Sequence, residues 1–446
     1  MAGLNKYQAY PEYRDSGVEW IDAIPFHWEV LPTFSLCEAS TKKNIDGAEN
    51  NVLSLSYGNI IPRDIETNFG LLPESFNTYQ LVENGDIILR LTDLQNDKNS
   101  LRVGLVKQKG IITSAYLKLS SQRSMLSEYL YRLLHSYDTT KVFYGMGGGL
   151  RQSMKFEDFR RLPLLLPSKN EQVKIVDFLD YEIAKIDKLI EKQQQLIELL
   201  KEKRQAVISH AVTKGLNPDV PMKDSGVEWL GEIPQHWSIT KGCYIGRLFG
   251  SESVPESSIS DFGQLPFIKV STLSLDSFIP YKPEWFVNVS QEKNYNPETN
   301  YIVFPKRGAA IFTNKVNIIR EHSVIDPNLM GWKVNKNISN EYYAFVLKKR
   351  GLSDIADIST VPQINNKHIA PEKFPHPPYN EQLDIVNSLK TSLQDLDYLI
   401  GVVKKGIEYT QERRTALISA AVTGKIDLRN WTAPIPEAET PTEASA

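Results

Sequence analysis

Three stretches of this chain combine cationic side chains with neutral hydrogen-bonding ones, a mixture suited to gripping a polyanion while reading its chemistry. Between Arg90 and Arg123 stand Arg90, Lys98, Arg102, Lys107, Lys109, Lys118 and Arg123 against only Asp93 and Asp97. Tyr301 to Arg320 holds Lys306, Arg307, Lys315 and Arg320 with no acid, and Lys141 to Arg161 holds Lys141, Arg151, Lys155, Arg160 and Arg161 against Glu157 and Asp158. Asn, Gln, Ser, Thr and Tyr are interleaved throughout. Lysine and arginine neutralise phosphate, and amide and hydroxyl groups pair with base edges. Singly, such runs are as often solvated faces. Their recurrence at similar places in the two halves of the chain favours nucleic acid.

Covalent chemistry finds little support. Tyr144-Gly-Met-Gly-Gly-Gly149 departs from G-x-G-x-x-G and lacks the strand, turn and helix that a cofactor loop needs, so a flexible turn is the better reading. His376-Pro377-Pro378-Tyr379 is like the Asn/Asp-Pro-Pro-aromatic motif of amino-methyltransferases, but Leu166-Pro167-Ser168-Lys169 occupies the same place in the other half, so punctuation before a helix explains both. GxxxxGK[ST] and HExxH are absent, and the seven histidines show no metal-ligand spacing. His27 and His236 each sit in a repeated Ile-Pro-x-His-Trp turn, where a packed structural role is favoured. Cys37 and Cys243 are too few for a disulfide framework or a four-ligand zinc site and are expected to be buried small hydrophobes in a reducing compartment. The net charge of −3 disfavours a protein coated in nucleic acid. Without an apolar leader or membrane-length stretch, the chain is expected to be cytoplasmic and soluble.

The elements that must position these residues come in duplicate. Asp15-Ser16-Gly17-Val18-Glu19-Trp20 and Ile24-Pro25-Phe26-His27-Trp28 return 209 residues later as Asp224-Ser225-Gly226-Val227-Glu228-Trp229 and Ile233-Pro234-Gln235-His236-Trp237. Asn170-Glu171-Gln172 returns 210 residues later as Asn380-Glu381-Gln382, and Arg204-Gln-Ala-Val-Ile-Ser-His-Ala-Val-Thr213 as Arg414-Thr-Ala-Leu-Ile-Ser-Ala-Ala-Val-Thr423. A repeat this long is a domain plus a connector, not a solenoid unit.

Each connector reads as a long amphipathic helix. Val176, Leu179, Ile183, Ile186, Ile190, Gln193, Ile197, Leu200, Arg204, Val207 and Ala211 alternate at spacings of three and four, and the same seam recurs from Val386 to Ala421. Each helix is about 40 residues, or about 60 Å. Such a stripe needs a partner, and the economical partner is the other copy, packed antiparallel. The rival arrangement lays each helix on its own globular domain.

The regions before the helices carry short β-rich runs: Asp86 to Leu91, Arg102 to Lys107, Pro266 to Val270 and Tyr301 to Phe304. Ser127 to Tyr137 and Asn340 to Arg350 read as helices. Asn51 to Tyr57 and Phe267 to Thr272 look like counterparts in pattern only. The expected fold is α+β: two mixed α/β domains separated by an antiparallel coiled coil of two long helices, with a pseudo-twofold internal repeat. Its divisions are residues 1–167, 168–214, 215–377, 378–425 and a 426–446 segment whose Pro- and Glu-rich tail is expected to be disordered.

At the repeated Gly-Val-Glu-Trp-x-x-x-Ile-Pro-x-His-Trp segments, the Asn-Glu-Gln helix starts and the Arg-x-Ala-x-Ile-Ser-x-Ala-Val-Thr helix ends, the chain resembles the specificity subunit of a type I restriction-modification enzyme, from about Tyr13 to Leu428. The resemblance implies two target-recognition domains that each read one half of a bipartite asymmetric DNA site, with the helices as a ruler for the unspecified spacer. It implies two docked modification subunits that bind S-adenosylmethionine and methylate adenine, and two restriction subunits. No cofactor would be bound by this chain, no membrane engaged and no reaction catalysed. Arg90-Leu-Thr-Asp-Leu-Gln-Asn-Asp-Lys98 and Gly110-Ile-Ile-Thr-Ser-Ala-Tyr116 match a recurrent recognition-domain pattern, and Pro305-Lys-Arg-Gly308 and Asn365-Asn-Lys367 resemble elements of the second domain.

The expected DNA-contacting residues of the first domain are Arg90, Thr92, Asp93, Gln95, Asn96, Lys98, Arg102, Ser114, Tyr116, Tyr144, Arg151 and Gln152. Those of the second are Lys269, Ser271, Thr272, Lys306, Arg307, Asn314, Lys315, Gln363, Asn365 and Asn366. Two rival functions stay open, a protein-binding tether and a stand-alone DNA methyltransferase or nuclease.

Overall fold

The residues that repeat along the chain become joints. In the computed structural model, which describes residues 7–63, 75–92, 94, 101–146, 153–288, 298–357 and 361–434, the chain divides into two units. One comprises Met1–Gln194 with Lys405–Ala446, the other Gln195–Lys404. The dividing points fall inside the two long helices, Lys169–Lys214 and Tyr379–Val422, so each helix serves both units.

In the first unit, Glu29–Pro32 pairs antiparallel with Pro163–Leu166, directly before the first long helix. A four-stranded antiparallel sheet has the order Cys37–Ala39, Leu117–Ser121, Ile87–Leu89, Val103–Leu105. The second unit repeats both arrangements. Ser238–Lys241 pairs with Lys373–His376, and the sheet runs Gly246–Phe249, Leu329–Val334, Tyr301–Pro305, Asn317–Ile319. A helix packs on each sheet, Ser127–Thr139 in the first unit and Asn340–Arg350 in the second.

The units differ in what is added. The first carries the hairpin Leu53–Ser56 with Asn59–Pro62 and a two-stranded antiparallel pair of Gln80–Val82 with Gly110–Ile112. The second carries a further sheet, in which Leu265–Ile268 pairs antiparallel with Phe286–Val287 and parallel with Val324–Ile325. Asn51–Tyr57 and Phe267–Thr272 are thus counterparts in pattern only, as expected: one is a hairpin arm, and the other is a sheet strand running into a short turn at Val270–Thr272.

Both seams are covered. Every seam position from Val176 to Ala211 and from Val386 to Ala421 is buried or half-buried, whereas off-seam Leu189, Leu196 and Leu199 are exposed. In the first unit Asp187 meets Arg414 at 3.1 Å and Gln193 lies against Gly406. Moving forward on one helix thus moves backward on the other. In the second unit Arg204 meets Asp397 at 3.3 Å, and Ile208 and Leu393, four residues on and four back, line one groove. The pairing is antiparallel within each unit. The seam arginines Arg204 and Arg414 are tied by these ion pairs, which fix register more than they add stability.

The core of the first unit joins Ile87, Leu89, Leu119, Leu130, Leu133 and Leu134 to Phe178 and Leu179 of the first long helix and to Leu417, Ile418 and Ala421 of the second. The second unit does the same with Ile302, Phe304, Trp332, Tyr342 and Phe345, joined to Ile208, Val212, Ile385 and Leu389. Neither helix packs on its own domain alone.

The repeated polar residues close these joints. Glu171 is buried at the start of the first long helix and binds His27 Nε2 at 2.8 Å, Ser168 Oγ at 2.8 Å and Trp28 Nε1 at 3.4 Å. Glu381 repeats this with His236 at 2.8 Å and Trp237 Nε1 at 2.9 Å. Gln172 Oε1 accepts from Leu126 N at 2.8 Å, and Gln382 Oε1 from Ser339 N at 2.9 Å, each at the backbone that caps a domain helix. Tyr129 donates to the Val422 carbonyl and Tyr342 to that of Val212, fastening each domain helix to the last turn of a long helix. His376, beside the Pro-Pro pair, stacks on Tyr343 and bonds its hydroxyl at 2.7 Å, so this motif is indeed a helix start.

Burial works to raise the Glu171 carboxyl, but hydrogen bonds from His27, Ser168 and Trp28 outweigh it and hold the group below its usual range. A depressed folded-state pKa gives stability that is full above the unfolded value and lost as pH falls through the folded one. Glu171→Gln removes the charge that these donors serve. The expected loss is about 1 to 3 kcal/mol, largest at neutral pH and shrinking in urea unfolding as pH falls through the depressed carboxyl value. A constant difference across that range would contradict the latch.

Cys37 is buried, and burial pushes its thiol up to about 12. Cys243 is exposed, contrary to expectation, because the short helix Gly242–Ile245 turns Gly242 and Ile245 inward instead. Among the described residues, no helix is long and apolar enough to cross a membrane, and no cluster of His, Cys, Asp and Glu could hold a metal ion. The expected tail disorder concerns residues that, from 435 on, lie outside the described ones.

Candidate nucleic-acid interface

The candidates of the second unit converge through the backbone. Gly308 N donates to the Pro362 carbonyl and Ile364 N to that of Lys306, both at 2.8 Å, and Arg307 bridges Gln363. Segments 56 residues apart thus place Lys306, Arg307, Gln363, Asn365 and Asn366 on one surface. Gly308 permits the junction: φ of +74° with ψ of −169° belongs to a region only glycine occupies readily. Arg307, Asn365 and Asn366 are exposed, and Asn365 caps the short helix Asn366–Ile369. Lys306 is half-buried. Burial, with the neighbouring Arg307 charge, lowers its pKa against the pull of Asp326. An arriving phosphate would relieve the repulsion between the two cations.

A second group forms around Lys269. Its ammonium lies 4.4 Å from the Trp285 ring centre and 5.5 Å from that of Phe267, while Lys315 Nζ reaches the Val270 carbonyl at 3.4 Å. Ser271 is exposed beside them. Trp285 is the addition that charge counting overlooks, since it lies in no basic run. Only an aromatic-plus-cation pattern could have pointed to it.

Two candidates here are turned to structural use. Thr272 is buried, and its hydroxyl accepts from Lys269 N to close the turn. Asn314 is left-handed, with φ of +50°, and spends its amide nitrogen on the Lys348 carbonyl at 2.8 Å. Neither offers a free edge to a base.

In the first unit the largest departure is Arg102, which is fully buried. Its guanidinium donates to the carbonyls of Arg90 and Thr92 and to Tyr144 Oη, while its backbone N–H donates to Asp138 at 2.6 Å. Carbonyls compensate a buried cation better than nothing would, and a phosphate cannot reach it. Arg102 therefore ties Arg90 and Thr92 to Tyr144. Lys118 is also buried, 3.6 Å from Asp86, so part of the cationic excess from Arg90 to Arg123 is not on the surface.

Arg90, Thr92 and Tyr144 are half-buried. Ser114 is exposed and donates to the Thr78 carbonyl. Tyr116 is half-buried against Leu53 and Val82, its carbonyl held with that of Thr113 by the amide of Gln80. Asp93, Gln95, Asn96, Lys98, Arg151 and Gln152 lie outside the described residues.

A type I restriction modification DNA specificity domain model matches residues 39–199 and again 248–405. The chain belongs to this family. The matched segments contain three strands of each four-stranded sheet, the end of the fourth, and the candidate residues of both units. Among solved structures, a chain from work on complex assembly and conformational transition of the type I R-M system superposes with a TM-score of 0.68 at 14% identity, covering 90% of this chain and 99% of that one. The HsdS subunit from Thermoanaerobacter tengcongensis superposes with a TM-score of 0.51 at 14% identity, covering 90% and 98%. At that identity the likeness is one of fold. Two specificity domains with an antiparallel helical pair shared between them match the architecture expected from the repeat.

Proposed function

We propose that this chain is the non-catalytic DNA-specificity subunit of a type I restriction-modification complex, in which each specificity domain reads one half of a split, asymmetric duplex site. The observation that carries this reading is the double family match: repeated residues serve as joints, while the unrepeated ones present different polar and basic surfaces. Two different surfaces suit an asymmetric target. In the second domain Lys306 and Arg307 are suited to phosphate or guanine, and Gln363, Asn365 and Asn366 to adenine.

In this reading two modification subunits dock on the chain, carry S-adenosylmethionine and methylate adenine, and restriction subunits complete the complex. The length of the paired helices sets the spacer between half-sites. The target adenine must leave the stack for methylation, so the chain's own task is to hold the duplex in register.

Mobility-shift titration of the complex formed by this chain and its modification subunits tests the reading. Specific binding is expected to fall by about 10³-fold or more between about 50 and 200 mM salt through counterion release. Binding insensitive to salt and sequence would favour the protein-tether alternative, and methylation by the chain alone would favour the enzyme alternative.

A further inference from the structure

Tyr57 stands at the tip of the hairpin Leu53–Ser56 with Asn59–Pro62 and is 82% exposed, more than any other large hydrophobic among the described residues. With Ser56 paired to Asn59, the loop is the two residues Tyr57 and Gly58, at φ of +46° and +78°. Two positive φ values are the pattern of a type I′ turn, whose first position prefers Asn, Asp or Gly. A bulky aromatic there is a conformational outlier. It gains nothing from packing, so the structure holds the ring out against both local preferences.

The tip is anchored. A Cβ on Gly58 would lie 3.1 Å from Leu101 Cβ, and one on Gly104 would lie 2.6 Å from Leu55 Cδ1 and 2.8 Å from Ile60 Cδ1. The hairpin is thus pressed onto the strand Val103–Leu105 with no room for a side chain between them. Leu101 stands three residues after the candidate segment Arg90–Lys98 and directly precedes Arg102, which ties Thr92 of that segment to Tyr144. The hairpin tip is therefore held against Leu101, next to the Arg102 that binds the candidates Arg90, Thr92 and Tyr144.

Resting on the DNA-reading function proposed above, we propose that Tyr57 is a specificity-determining DNA contact: its ring enters the groove at the first half-site and packs against a base edge or sugar. A base-reading contact in the groove is worth about 5- to 150-fold in affinity. A ring fixed in advance makes that contact with little ordering cost.

The test uses the complex with its modification subunits and a duplex bearing the methylated motif that this complex writes in cells. Tyr57→Asn creates the Asn-Gly pair the turn prefers. Its unfolding midpoint is expected to stay or rise while affinity falls by about 10- to 100-fold and preference relaxes in the first half-site alone. Tyr57→Phe keeps the ring and is expected to stay within about threefold of the parent. A lower midpoint accompanying the lower affinity would mark Tyr57 as a turn residue and overturn the proposal. Unchanged DNA binding, with or without weaker association of the modification subunits, would also overturn it while Arg307→Ala still weakens binding. If the parent complex itself shows no sequence preference, the DNA-reading function fails and this contact with it.

Discussion

Inserting seven residues into each long helix, between Gln194 and Gln195 and between Lys404 and Lys405, is expected to abolish methylation at the native spacer and shift the best spacer longer. Seven residues preserve the seam because the apolar pattern repeats every seven. They add about 10 Å of helix, or about three base pairs at about 3.4 Å each. Three base pairs also turn the second half-site by about 100° around the duplex, given about 10.5 per turn. Affinity should therefore drop on every spacer, by at least about tenfold on the native one. Both half-site sequences should stay unchanged, since neither domain is touched. Inserting in one helix only would put Arg204 against Asp397 and Arg414 against Asp187 out of register together, and should destabilise the protein instead. Methylation of duplexes with graded spacers checks this, and a heptad-extended protein that still prefers the native spacer would contradict the ruler.

Arg307→Ala is expected to cost about 1 to 3 kcal/mol of specific binding and to relax one position of the second half-site. The side chain is exposed, and the bridge joining this segment to Gln363 is made by backbone, so the fold should survive the change. Removing the guanidinium also removes a charge that, after burial, lowers the neighbouring Lys306, so Lys306 should titrate higher in the variant. Binding selection from a randomised duplex pool separates the outcomes. Uniform weakening across sequences would assign Arg307 to phosphate, and no change in either affinity or preference would remove it from the interface.

Much of the framework was legible because it rests on local chemistry with a period. The seam from Val176 to Ala211 announced a paired helix, and the offsets of Glu171 to Glu381 and Trp28 to Trp237 announced a duplicated joint. What Glu171 and Gln172 do was not legible, since their partners His27, Trp28 and Leu126 are brought to them only by the folded chain. The common order of the two four-stranded sheets was hidden for a related reason: strands three to six residues long tolerate any apolar residue that fills the core, so Ile87–Leu89 and Tyr301–Pro305 share a place without sharing a sequence.

Charge counting misled where burial decides. Arg102 and Lys118 count as cations along the chain, yet both are inside, serving carbonyls and Asp86. Thr272 and Asn314 looked like base readers by type, but the first closes a local turn and the second is spent on the Lys348 carbonyl. Conversely, the meeting of Lys306 and Arg307 with Gln363 required a backbone contact between distant segments that no spacing rule encodes. Tyr57 carried a faint signal in its following glycine, which marks a hairpin turn only once the flanking strands are known.

The most direct test of the central claim is single-molecule methylome sequencing of cells that carry this chain with its modification subunits, compared with cells lacking only this chain. The account predicts adenine methylation at one split motif, with two unlike half-sites and a spacer of fixed length, present only when the chain is. Methylation at a short continuous motif, or an unchanged methylome on removing the chain, would contradict it.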